Sequence, residues 1–106
     1  MKNIVYNKLV RDKIPAIIEQ SGKKAICQTL SDEEYIKQLN TKLLEEVNEY
    51  YESGSLEELA DIGEVMHAIL SYKNISIEEF QKARMDKLEQ RGGFKDKIFL
   101  KEVIEE

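Results

Sequence analysis

Five acidic residues carry the chemistry this sequence offers. In "KLLEEVNEYYESGSLEELADIGEV", residues 42–65, Glu45, Glu46 and Glu49 stand before a Ser-Gly-Ser break, and Glu58 and Asp61 follow it; Lys42 is the single basic residue of the stretch. Glu46 and Glu49 are three apart, as are Glu58 and Asp61, so on helices each pair shares one face. Oxygen-only ligands of this kind suit a hard cation, and Mg²⁺ is held through a few carboxylates, waters and substrate phosphate oxygens, with Mn²⁺ as a substitute. Glu45, just round the helix from Glu46, is placed to hold a second cation or to accept a proton from an attacking water. The plainer reading is an acid-rich exposed surface, with Glu58 serving as a helix cap. Glu52 and Glu57 read as solvated charges near helix ends, and Glu33 and Glu34 as charges that favour a helix N-terminus.

The elements that must position these acids announce themselves through their ends. Ser31 with Glu34, Ser55 with Glu58 and Ser76 with Glu79 each form a Ser-x-x-Glu start ahead of an apolar periodicity, the signature of a capping box. Three helices follow: from Ser31 to about Glu52 with Gly54 as its stop, from Leu56 to about Tyr72, and from Ile77 to about Arg91, closed by Gly92 and Gly93. A shorter helix precedes them, with Asp12 as its cap, Pro15 in its first turn and Gly22 as its end. The β-prone runs "AICQTL" and "KIFLKEV" are expected to pair as a small two-stranded ribbon.

The connection at Gly54 is short, so the helices on either side are expected to be antiparallel neighbours. At roughly 1.5 Å of rise per residue, Glu49 and Glu58 lie about 7.5 and 6 Å from that glycine, and Glu46 and Asp61 about 12 and 10.5 Å. The pairs are level, so the four carboxylates can converge. At 100° per residue Glu46 and Asp61 fall at the edges of their apolar stripes, and Glu58 falls between Val65 and Ile69. A charge so near the core side must be paired, protonated or bound to a metal.

Composition limits the partners. The 106 residues carry 16 basic and 21 acidic side chains, a formal net charge of −5, which opposes general affinity for nucleic acid polymers. No apolar run approaches the roughly 20 residues of a membrane span, and the lone Cys27 suits a reducing cytoplasm, where it is expected to be a small buried hydrophobe. One domain, 1–106, with one modest core is expected, and a chain this small gains from association with further copies, as a homodimer or homotetramer. On the last helix Arg84, Lys87 and Arg91 continue the face of Ile77 and Phe80, a basic row suited to phosphate oxygens or to the helix dipole. Lys8, Arg11 and Lys13 form a second basic group. His67, the sole histidine, reads as a surface or interface residue, Tyr50 and Tyr51 as core or interface, and Gly63 as a point of close helix approach.

The acidic pattern resembles the E-E-x-x-E and E-x-x-D halves of the all-α nucleoside triphosphate pyrophosphohydrolases, the superfamily of MazG, the dimeric dUTPases and phosphoribosyl-ATP pyrophosphohydrolase. "EEVNE" (Glu45, Glu46, Glu49) and "ELAD" (Glu58, Asp61) carry the match, and "YNKLVRDKIP" and "QRGGF" resemble a subgroup of small MazG-like, phosphoribosyl-ATP pyrophosphohydrolase-like proteins. The resemblance implies an oligomeric, antiparallel MazG-like bundle and a Mg²⁺-dependent hydrolase that releases pyrophosphate from a nucleotide. It makes Glu46, Glu49, Glu58 and Asp61 metal ligands, Glu45 a water activator, and Lys8 and Arg11 phosphate contacts beside Arg84, Lys87 and Arg91. Eight residues separate Glu49 from Glu58, fewer than in many MazG-type members, so their substrate pocket does not transfer. Phosphoribosyl-ATP hydrolysis in histidine biosynthesis is the alternative within the class, and a non-catalytic helical binding module is the alternative outside it.

Overall fold

Serine caps and glycine stops set the helix boundaries in the computed structural model, which describes residues 2–105. The chain divides into two compact units, Met1–Asn74 and Ile75–Glu106. The first holds α1 (Ile14–Gln20), α2 (Asp32–Ser53) and α3 (Leu56–Tyr72), and the second holds α4 (Ile77–Arg91). The protein is all-α, with no strand among the described residues.

In the first unit, Ser31 caps α2 by accepting the Glu34 N–H, and Ser55 caps α3 by accepting the Glu58 N–H. Such a cap is worth about 1 kcal/mol because it satisfies a helix donor that has no partner within the helix. Gly54 ends α2 at φ 64°, ψ 16°, donating its N–H to Tyr50 O at 2.7 Å. In this left-handed conformation a side chain is strained, and it is what folds the chain from α2 directly into α3. The two helices pack against each other around Leu39 and Val65, the buried apolar side chains among the described residues. Tyr35 and Tyr72 close the opposite end of the pair edge to face, with ring centroids 6.0 Å apart, a geometry worth about 1 kcal/mol beyond the burial itself.

Five expectations need correction. The cap of α1 is Lys13, not Asp12, and it makes no side-chain cap bond; the chain turns in earlier, where the Ile14 N–H reaches Arg11 O at 3.0 Å. The expected ribbon is absent among the described residues. Ile26 is 90% exposed and Phe99 85%, Lys97 has φ 58°, and two short strands without apolar cover are marginal in water. Cys27 is exposed rather than buried. Tyr51, at 85% exposure, is not a core residue, and a Cβ on Gly63 would meet nothing within 4 Å, so no close helix approach occurs there.

In the second unit, α4 begins with a complete capping box. Ser76 Oγ accepts the Glu79 N–H at 3.1 Å, and Glu79 Oε1 accepts the Ser76 N–H at 3.3 Å. No helix of the described residues is long and apolar enough to cross a membrane.

Candidate metal centre

Glu46 lies on the inner side of α2, twelve residues before Glu58 of α3, and is 5% exposed. Glu58 and Asp61 sit in the first two turns of α3, three residues apart and both half-buried. Each of the three offers one carboxylate oxygen, and those oxygens lie within 4.8 Å of one another. The convergence expected from helix phase is therefore present for three of the four acids. Glu49 does not join that set: it is exposed, and its negative charge raises the Glu46 carboxyl.

Glu58 and Glu79 occupy equivalent positions in two Ser-x-x-Glu starts, yet their side chains go opposite ways. Glu79 folds back onto the Ser76 N–H. Glu58 gives only its backbone N–H to Ser55 Oγ, at 3.4 Å, while the Ser55 N–H is taken by Ser53 Oγ at 3.2 Å. With its capping task filled by Ser53, the Glu58 carboxylate is free to face Glu46 and Asp61. This arrangement counts against reading Glu58 as a cap alone.

Two cations of the chain stand against the cluster. Lys42 Nζ lies 3.3 Å from Glu46 Oε1 and 3.6 Å from Glu45 Oε2, one turn along α2. Arg11, in the segment ahead of α1, places Nη2 2.7 Å from Asp61 Oδ1. Glu46 Oε2, by contrast, is buried and has no hydrogen-bond partner among the described residues. Burial pushes the Glu46 carboxyl above the usual glutamate range; the Lys42 hydrogen bond and charge pull it back, and Glu49 raises it further. A buried carboxylate oxygen without a partner costs about 1–3 kcal/mol or more, so the pocket is incomplete for an anion and suited to a positive ligand.

Sequence reasoning can reach Lys42, which stands three and four residues before the acids it meets. It missed the Arg11–Asp61 pair, because fifty residues separate the two and no local pattern links them; the one signal was that an acid on a core-side face must have a partner. Of the other expected phosphate contacts, Lys8 and Arg84 are occupied locally. Lys8 Nζ stands 5.6 Å from the Tyr6 ring centroid. Arg84 donates from Nε to Gln81 Oε1 at 3.0 Å, Lys87 is exposed, and Arg91 lines an open hollow of about 460 Å³ with Leu88, Phe94, Lys95 and Lys97. His67 is exposed, as expected of a surface residue.

No family model matches the chain, and no solved structure matches it. A protein of Mycolicibacterium smegmatis described as uncharacterized is 54% identical over 41 residues, which make up 39% of this chain and 42% of that protein. The match thus spans less than half of that relative's length.

Proposed function

We propose that this protein is a MazG-like, Mg²⁺-dependent hydrolase that cleaves a phosphoanhydride of a nucleotide and releases pyrophosphate. The observation that carries the reading is the unpartnered, buried Oε2 of Glu46, on a residue that brings a carboxylate oxygen within 4.8 Å of those of Glu58 and Asp61. Oxygens across a Mg²⁺ shell are about 4.2 Å apart at most, twice a bond of about 2.1 Å. Adjacent oxygens of that shell are about 3 Å apart, so the three carboxylates would draw together around the ion. Glu46, Glu58 and Asp61 would hold the ion, and Glu49, exposed beside Glu46, would join by turning its side chain.

When bound, the cation would polarise the phosphoryl oxygens and offset charge on the leaving pyrophosphate. Glu45, 38% exposed on its side chain and 3.6 Å from Lys42, would accept the proton of the attacking water. Arg11 and Lys8 would meet phosphate oxygens, Arg through a forked contact; Arg84, Lys87 and Arg91 are further candidates for this role. Leu44, Tyr51 and Leu56 are 63%, 85% and 80% exposed, and large exposed apolar side chains support a homodimer or homotetramer. The free, exposed Cys27 is in keeping with a reducing cytoplasm.

A panel of nucleoside triphosphates and phosphoribosyl-ATP, assayed for pyrophosphate with Mg²⁺, tests the proposal. Asp61→Ala and Glu49→Ala should abolish release with helical content intact. Unchanged turnover in Asp61→Ala would overturn it, and turnover confined to phosphoribosyl-ATP would move it into histidine biosynthesis.

A further inference from the structure

Arg11 stands on one of the three acids that would hold the cation. Its Nη2 is 2.7 Å from Asp61 Oδ1, so that oxygen is already committed to a positive charge. Lys42 is placed differently. It lies on Glu46 Oε1, while Oε2 is buried and without a partner among the described residues. Glu46 thus keeps one oxygen unpartnered, and Asp61 has one oxygen taken by a guanidinium. A divalent ion entering beside Glu46 meets the Arg11 charge at close range, and like charges at that separation repel strongly.

Resting on the metal-centre reading above, we propose that Arg11 is a built-in counter-ion, which yields Asp61 to an entering divalent cation and then anchors the oxygens of a polyphosphate. Both halves follow from the same placement. The Arg11–Asp61 pair is partly exposed, with side chains 55% and 38% accessible, so the guanidinium can leave without passing through a core. Its backbone stays tied, because Arg11 O accepts the Ile14 N–H at 3.0 Å as α1 begins. The released fork therefore remains beside the cluster, and its planar donors match two phosphate oxygens at once. Cation and anion then bind with positive coupling: each favours the state in which Arg11 is off Asp61.

The test uses the full chain and two probes. Mn²⁺ alone, followed by electron paramagnetic resonance, should bind Arg11→Gln more tightly than wild type, by about twofold to fivefold, the range set by an exposed ion pair. Arg11→Lys, which keeps the charge without the fork, should fall between them. Inorganic triphosphate premixed with Mg²⁺, followed by calorimetry, should bind Arg11→Gln about tenfold more weakly, the loss expected of a charge-assisted contact. Equal or weaker Mn²⁺ binding by a folded Arg11→Gln would overturn the counter-ion role. Tighter Mn²⁺ binding with unchanged triphosphate binding would overturn the anchor. If wild type holds Mn²⁺ no better than a Glu46→Gln, Asp61→Asn double variant, the metal-centre reading itself fails, and this proposal with it.

Discussion

Replacing Glu46 by Gln should make the metal-free protein more stable. The wild-type carboxylate is 5% exposed, and its Oε2 has no partner among the described residues, a loss of about 1–3 kcal/mol. The amide keeps the shape, removes the buried charge, and can donate from its NH₂ to the nearby Glu58 or Asp61 oxygens. Against this stands the weakened contact with Lys42 at 3.3 Å; the amide oxygen still accepts from the ammonium, so the loss is about 1 kcal/mol, that of a weakened hydrogen bond. The net gain is about 1–2 kcal/mol, or roughly 4–8 °C in Tm, read by thermal melting at neutral pH in chelator. The sign with pH follows from burial, which holds the folded Glu46 carboxyl above its unfolded value. Its contribution to wild-type stability is full below the unfolded pKa, about 4.3, and is lost as pH rises through the folded value. The advantage of the Gln variant should therefore vanish near pH 4 and be complete at neutral pH. Mg²⁺ at ten times its Kd should add about 1.4 kcal/mol to wild type and nothing to the variant. A variant that melts below wild type in chelator, or gains equally from Mg²⁺, would refute the account of Glu46.

Two further outcomes test the frame around the site. Gly54→Ala should cost about 1–2 kcal/mol, because φ 64° is unfavourable for a side chain while the space around the new Cβ is open; an unchanged Tm would show that the turn relaxes to another conformation. Glu79→Ala should lower helix stability by about 0.5 kcal/mol through its capping box, whereas Glu58→Ala in chelator should cost nothing at the cap. Equal losses in the two variants, by far-ultraviolet circular dichroism on heating, would mean that Glu58 caps α3 after all.

What could be read in the sequence was what depends on near neighbours. Ser31, Ser55 and Ser76 each cap a helix within reach of the residue three positions on, and Gly54 and Gly92 end helices by their own backbone freedom, so α2, α3 and α4 were legible from their ends. The convergence of Glu46 with Glu58 and Asp61 followed from helical phase counted from one turn. Side-chain choice was not legible: the sequence offers no reason for Glu58 and Glu79 to part, since the difference lies in Ser53 Oγ taking the Ser55 N–H. Nor was Arg11 on Asp61, which depends on how the segment ahead of α1 returns to α3. The ribbon failed because β-propensity reports fit to a covered, pleated surface, and neither run has one. Asp12 failed as a cap because the turn begins one residue before it, at Arg11.

Lys42 and Arg11 also bear on the order of events in the life of the chain. Many small metal-dependent domains cannot fold until the ion arrives, because their ligands repel one another in its absence. Here two of the three clustered acids meet a positive side chain of the same chain, so α2 and α3 can pair on emergence from the ribosome, before any ion is present. On the proposed metal-centre reading, loading would then be a late and reversible step, and the chain would stay folded without the ion.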